Sequence, residues 1–307
     1  MITTRELDVT QPFTRAQARA AGLTDGQLRG HDFVRLFRNV LIARGIPVSL
    51  YTRARGALLV APGSAFISHD TAAGLWGGSG PESSDVHVTI SRQHSLHISG
   101  IRAHQSDRPR ATTWIGGIRI STPEQTFIDL GSKLDLVQLV VLGDRLVRRE
   151  RTTPQRLVRA TDDWYGFHRE LVGRAARLVR TGVDSPPESR LRMLMVLAGL
   201  PEPTVNHIIR DSDTGAWLRR FELAYRELLL AIEYEGRQHR DDDDIWAADI
   251  ERREDLEHDA WRIVQVISDG LFKTPLRTLQ RIDRARVDRG ARPTPFLDEW
   301  KRYFPGP

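Results

Sequence analysis

The chain has 307 residues, a net charge of +5 at pH 7 and no cysteine, and 40% of its residues are hydrophobic. This length is sufficient for two domains with hydrophobic cores. The absence of cysteine excludes disulfides, thiolate metal sites and cysteine nucleophiles. No apolar run approaches the roughly 18 residues of a membrane-spanning helix, and the N-terminus lacks the features of a signal peptide, so we expect a cytoplasmic protein.

Almost all of the basic residues are arginine, since lysine occurs only as Lys133, Lys273 and Lys301. The guanidinium group can bind a phosphate through two parallel N–H groups, so this composition permits nucleic-acid binding. Preference for arginine over lysine also follows from the base composition of a genome. The composition therefore leaves both explanations open.

Residues 13–45 predict a compact DNA-binding unit. Thr14 and Thr24 can each cap a short helix, and Gly22 separates the two helices, which is the outline of a helix-turn-helix. An ordinary pair of packed helices would give the same outline. The segment DFVRLFRNVLIARG that follows predicts a two-stranded wing. The candidate DNA contacts on the second helix and the wing are Gln27, Arg29, Arg35 and Arg38.

The segments FTRAQARAAGLTDGQLRG and FVRLFRNVLIARG resemble the N-terminal winged-helix domain of AbiEi-type antitoxins from abortive-infection systems. The resemblance implies a DNA-binding winged helix in residues 1–46 and a mixed α/β module with a helical connector in residues 47–181. It also implies a toxin or another defence protein as a partner. A homodimer is an alternative that the sequence leaves open.

The histidines of residues 47–181 predict no active site. His69 and Asp70 are interpreted as the beginning of a helix at residues 68–77 rather than as a catalytic pair. The other histidines fall on expected strands at residues 86–90 and 101–105 and on loops, and we interpret them as scattered and do not predict a zinc site. They are His87, His94, His97 and His104.

Residues 182–290 predict a helix, three strands, a second helix and a fourth strand. The segment GVDSPP before them combines glycine and proline and predicts a domain boundary. Ser185 is expected to cap the first helix, on which Glu188 and Arg192 lie one turn apart. An exposed surface pair is one interpretation of these two residues. The second helix is expected at residues 241–258. Residues 291–307 form a proline-rich tail.

Acidic residues at the ends of the expected strands are the clearest chemical signal. The run LLLAI is typical of a strand that is buried on both faces, and Glu233 and Glu235 follow it on one face. A turn near Arg226 would bring Glu222 of the preceding strand opposite them. Clustered carboxylates require a cation or must stay neutral, and Mg²⁺ prefers such oxygen ligands. Ordinary surface charges at the strand ends are the alternative.

The blocks SPPESRLR, RRFELAY, IEYEGRQH and DIERREDLEHDAWRIVQV resemble, in this order, the PD-(D/E)XK nuclease superfamily and its very-short-patch-repair-like branch. The resemblance implies Glu222, Glu233 and Glu235 as ligands of Mg²⁺ or Mn²⁺, Glu188 as a supporting acid and His239 as a proton-transfer group. Two positions depart from the family pattern. Glu222 replaces an aspartate, and Ala260 replaces a glycine.

The expected fold is α/β in class and α+β overall. It combines an N-terminal winged helix, a small mixed α/β module and a restriction-endonuclease-like αβββαβ core. The expected function is that of a DNA-binding protein with a Mg²⁺-dependent endonuclease domain that hydrolyses DNA phosphodiesters, in phage defence or DNA repair. The alternative is a non-catalytic transcriptional repressor or antitoxin.

Overall fold

A computed structural model gives the structure of the chain and describes residues 7–78, 83–210, 214–235 and 261–306. The fold is α+β, as the sequence predicts, and its strands form three sheets in these residues. The chain divides into two compact units, residues 1–134 with 149–176 and residues 135–148 with 177–307. Within the described ranges, no helix combines the length and the apolar character needed to cross a membrane.

The N-terminal part of the first unit contains the two helices and the hairpin that the sequence predicts. Its elements are β1 Phe13–Thr14, α1 Arg15–Ala20, α2 Asp25–Arg29, β2 Phe33–Phe37 and β3 Val40–Ala43. Thr14 and Thr24 each cap a helix in a capping box, with a glutamine at the third helical position. The three strands form an antiparallel sheet in the order β1-β3-β2. Phe13, Ala18 and Leu28 pack in the core beside this sheet.

The rest of the first unit is organised around a five-stranded sheet in the order β6-β5-β4-β8-β7. The elements between residues 47 and 181, of which α6 is part of the second unit, are in chain order α3 Leu50–Leu58, β4 Phe66–Ile67, α4 His69–Leu75, β5 Val86–Ile90, β6 Ile101–Gln105, β7 Thr112–Ile115, β8 Ile118–Ser121, α5 Pro123–Leu130, α6 Leu136–Arg148, α7 Pro154–Asp162 and α8 Arg169–Leu178. Every residue of β5 is buried. Helix α6, which the sequence predicts as part of the connector, belongs to the second unit.

The second unit contains a four-stranded mixed sheet in the order β12-β11-β10-β9. Its elements are α9 Pro186–Leu197, β9 Thr204–Arg210, β10 Trp217–Tyr225, β11 Leu230–Glu235, β12 Arg262–Ile267, α10 Ser268–Phe272 and α11 Pro275–Val287. Strands β9, β10 and β11 are antiparallel, and β12 is parallel to β11. A parallel pair requires a long crossover connection. The helix predicted at residues 241–258 lies outside the described residues.

The alternative interpretation of Glu188 and Arg192 as an exposed pair on α9 is wrong. Both residues are buried, with exposed fractions of 4% and 0%. Arg192 binds instead to Asp144 of α6 at 3.1 Å, to Glu202 at 2.9 Å and to the backbone oxygen of Leu178 at 2.8 Å. Helix α9 contacts α6 as well as β10 and β11, so polar positions that would face solvent on a surface helix are buried here.

Candidate active site

Glu222 lies on β10 where this strand separates from β11. The two strands pair from Leu223 and Ile232 to Tyr225 and Leu230. Beyond the first of these pairs, the backbone N–H of Tyr234 donates to Glu222 Oε2 at 2.7 Å, so a side chain takes a bond that a strand backbone would ordinarily make. An aspartate is one methylene shorter and would reach this N–H only if the backbone moved. The length of the Glu222 side chain therefore matters for this hydrogen bond.

The surroundings of Glu222 disfavour its charged form. Burial is the largest cause and, together with the nearby carboxylates of Glu188 and Glu233, raises the pKa of Glu222 to about 8. The N–H of Tyr234 and the guanidinium of Arg220 act in the opposite direction. Glu222 is therefore mostly protonated at neutral pH in the metal-free protein. The structure brings Glu188, Glu222 and Glu233 close enough to interact.

Glu188 reaches this cluster from the first turn of α9. Ser185 caps the helix by accepting a hydrogen bond from the N–H of Glu188, and Glu188 Oε2 in turn accepts from the N–H of Asp184 at 3.0 Å. Burial raises the pKa of Glu188 above its ordinary value. The capped helix end thus fixes the position of one carboxylate beside Glu222.

Two arginines of β10 bind acidic groups at this site. Arg219 donates from one terminal nitrogen to both oxygens of Glu233, at 3.1 and 3.4 Å, and its guanidinium lies 5.1 Å from the centre of the Phe221 ring. Arg220 forms an ion pair with Asp184. The carboxylate of Glu233 therefore has an arginine as a counter-ion.

The remaining residues predicted for this site lie at the end of β11 and beyond it. Glu235 is half-buried, is the last residue of the strand and pairs with Ile267 of β12. His239 and Ala260 lie outside the described residues. In residues 7–78, 83–210, 214–235 and 261–306, no set of three or more histidine or acidic side chains has the arrangement of a metal site. The donor atoms are nevertheless of the kind that Mg²⁺ prefers, because Glu188, Glu222 and Glu233 all offer carboxyl oxygens.

The residues predicted to contact DNA lie on α2 and on the hairpin. Arg29, Arg35 and Arg38 are exposed. Gln27 has a structural role as well, because its Oε1 accepts the N–H of Thr24 at 2.8 Å in the capping box. The amide oxygen of Gln27 is thus already bonded to the backbone at the beginning of α2.

A second polar cluster, which we call the histidine cluster, lies in the first unit and consists of His69, Asp70, His87, His104 and Lys133. Asp70 Oδ2 lies 2.5 Å from Lys133 Nζ and 3.2 Å from His87 Nε2. His87 Nδ1 lies 3.1 Å from His104 Nε2, and the rings of His69 and His104 stack with centroids 3.6 Å apart. The interpretation of these histidines as scattered is therefore wrong for His87 and His104.

Strand pairing explains why the sequence did not reveal the histidine cluster. Strands β5 and β6 are parallel neighbours, and their register places His87 beside Arg102 and Thr89 beside His104. His69 follows β4, which pairs with β5. These contacts join residues that are far apart in the chain, so no spacing of residues in the sequence predicts them. His94 and His97 lie in an exposed loop.

The rings of the histidine cluster are neutral at pH 7. Burial is the first cause, and the neighbouring histidines and cations add to it; together they lower the pKa of His69 to about 2 and that of His104 to about 4. The pKa of His87 is also lowered, although Asp70 opposes the shift. Protonation of any of these rings would place a positive charge in a buried site that already contains Lys133.

We expect the histidine cluster to make the protein acid-sensitive. Below pH 6.5 the histidine rings bind protons in the unfolded chain but stay neutral in the folded protein. The free energy of unfolding therefore falls as pH decreases toward 4. From pH 7 to pH 4.5 the unfolding free energy of the wild type should fall. In the double variant His69→Gln, His104→Gln this fall should be smaller by about 2 kcal/mol or more. Urea unfolding at the two pH values measures this. The matched control is His94→Gln, His97→Gln, and equal acid losses in the two double variants would contradict the expectation.

The comparisons with known proteins identify relatives of the chain. No protein-family model matches it. Two uncharacterized proteins of Mycobacterium tuberculosis, one from strain CDC 1551 / Oshkosh and one from strain ATCC 25618 / H37Rv, are each 24% identical to it over 268 residues. These residues are 86% of this chain and 97% of each relative. A match of this extent includes parts of both units.

Proposed function

We propose that the chain is a DNA-binding protein whose second unit hydrolyses DNA phosphodiesters with a divalent cation, Mg²⁺ or Mn²⁺. Glu222 and Glu233 would hold the cation with Glu235, and Glu188 would support them. The observation that carries this proposal is the convergence of Glu188, Glu222 and Glu233, with the pKa of Glu222 raised to about 8 by burial and by the other two carboxylates. Such strongly perturbed carboxyl groups cluster at functional sites.

The side chains of the cluster are already positioned by backbone groups. The N–H of Tyr234 holds Glu222, and the N–H of Asp184 holds Glu188. A bound divalent cation would supply polarisation of the phosphoryl group and activation of water. Glu222 must lose its proton to become a ligand, so we expect cation affinity to rise with pH up to about 8.

The first unit would contact DNA through α2 and the hairpin of β2 and β3. We expect the double variant Arg29→Ala, Arg38→Ala to weaken DNA binding and to reduce the slope of log affinity against log salt by about 0.9 per lost phosphate contact. The matched control is Arg92→Ala, Arg151→Ala, which removes two exposed arginines of the same unit. Affinity measured over a salt series tests this. Identical slopes for both double variants would place the DNA-binding surface elsewhere.

A second candidate function is a repressor or antitoxin that binds DNA without cleaving it and acts with a toxin, another defence protein or a second copy of itself. The observation that favours it is that the carboxylates have partners other than a metal. Arg219 binds Glu233 at 3.1 Å, and the N–H of Tyr234 binds Glu222 at 2.7 Å. A protein with a nuclease-like fold that binds DNA without cleaving it would have these features too.

Nicking of supercoiled plasmid by purified protein separates the two functions. The nuclease proposal expects nicking in Mg²⁺ or Mn²⁺ that a chelator abolishes and that Glu222→Gln slows by roughly 100-fold or more, on the order of 3 kcal/mol of transition-state stabilisation. DNA binding without nicking in either metal would favour the repressor or antitoxin. Nicking that persists in the chelator or in the Glu222→Gln variant would exclude this site as its source.

A further inference from the structure

Arg219 forms an ion pair with Glu233 of the carboxylate cluster. It lies on β10 three residues before Glu222, and its terminal nitrogen contacts both carboxylate oxygens of Glu233, at 3.1 and 3.4 Å. Both side chains are mostly removed from solvent, with exposed fractions of 23% and 19%. The Phe221 ring beside the guanidinium restricts it further. The ion pair is therefore partly desolvated and screened less than a surface pair would be.

The neighbouring Arg220 favours the charged forms of Glu222 and Glu188, but its ion-pair partner lies outside the carboxylate cluster. It pairs with Asp184, and 48% of its side chain is exposed. Arg219 is bound directly to a carboxylate that the proposed function assigns to the metal. A guanidinium and a divalent cation on the same carboxylate repel each other, and in a partly buried site water weakens this repulsion little.

We propose that Arg219 is an internal counter-cation of the carboxylate cluster, which neutralises Glu233 in the metal-free protein and must move away when a divalent cation binds. The inference rests on the proposed function and adds a regulatory property to it. Arg219 is a positioning residue that acts through Glu233 and sets the concentration of metal at which the site fills. Its removal takes away the positive charge that competes with the metal for Glu233.

The test is direct titration of the metal-free full-length protein with Mn²⁺, with free Mn²⁺ measured by electron paramagnetic resonance. We expect Arg219→Gln to bind Mn²⁺ about tenfold more tightly than the wild type, because the competing charge is gone. Arg219→Lys keeps the charge and should bind close to the wild-type affinity. Arg277→Gln, which changes an exposed arginine of α11 in the same unit, is the matched control and should bind like the wild type.

The outcomes separate the inference from the function on which it rests. If the wild type binds Mn²⁺ and Arg219→Gln binds it equally or more weakly, the inference is overturned and the metal site stands. If Arg219→Lys gains as much affinity as Arg219→Gln, charge is not the cause and the inference is again overturned. If neither the wild type nor Arg219→Gln binds Mn²⁺, the proposed metal site fails and the inference falls with it.

Discussion

Replacing Glu222 by glutamine is expected to raise the unfolding free energy of the metal-free protein by about 3 kcal/mol at pH 8.5 and by little at pH 4.5. The folded protein holds the pKa of Glu222 at about 8, whereas the ordinary pKa of a glutamate side chain is 4.5. Between these values the unfolded chain loses a proton that the folded chain keeps, so the stability of the wild type falls as pH rises. Glutamine cannot ionise, and its amide oxygen can still accept the N–H of Tyr234.

Urea unfolding of both proteins at the two pH values, in a chelator, measures this effect. Glu227→Gln is the matched control, because Glu227 is exposed in the turn that joins β10 and β11. Its pH dependence should follow that of the wild type. A stabilisation by Glu222→Gln that is the same at pH 4.5 and pH 8.5 would mean that Glu222 is not held in its neutral form by the fold.

The buried ion pair between α6 and α9 provides the largest expected loss of stability. Asp144 accepts from Arg192 at 3.1 Å, from the N–H of Arg180 and from the hydroxyl of Ser189, and its side chain is 2% exposed. Asp144→Ala should cost about 3 to 5 kcal/mol, because it leaves the Arg192 guanidinium buried without this partner. Denaturant unfolding at pH 7 measures the loss.

A double replacement tests the cause of that loss. Asp144→Leu with Arg192→Met removes both charges and keeps the volume filled, so it should cost clearly less than Asp144→Ala. Asp298→Ala removes an exposed partner of Lys301 and should change stability by roughly 0.5 kcal/mol or less. A double variant as unstable as the sum of its single changes would show that packing, rather than the unpaired charge, decides the loss.

Local signals in the sequence predicted much of the secondary structure. The caps Thr14, Thr24 and Ser185 begin helices at the expected residues, because a side-chain oxygen satisfies a free N–H within three positions of itself. The apolar run before Glu233 predicted a buried strand for the same kind of local reason. Alternation along β10 and β11, with the turn near Arg226, predicted that Glu222 approaches Glu233.

Contacts between distant parts of the chain were beyond such signals. The depth of Glu188 and Arg192 depends on what packs around α9, and α6 reaches it from about 50 residues earlier in the chain. The ion pair of Arg219 with Glu233 depends on how β10 and β11 separate beyond the pair of Leu223 and Ile232. The histidine cluster requires the order of strands in a sheet, which no single segment encodes.

Diffraction from a crystal of the protein soaked in Mn²⁺ tests the central claim most directly. Anomalous scattering locates manganese without reference to activity. We predict one strong anomalous peak among the carboxylates of Glu222 and Glu233, beside Glu188, with Arg219 moved away from Glu233, and no such peak in Glu233→Gln crystals. If crystals soaked at high Mn²⁺ concentration show no anomalous peak at these carboxylates, or show it only elsewhere, the assignment of this cluster as a metal site for phosphodiester hydrolysis is contradicted.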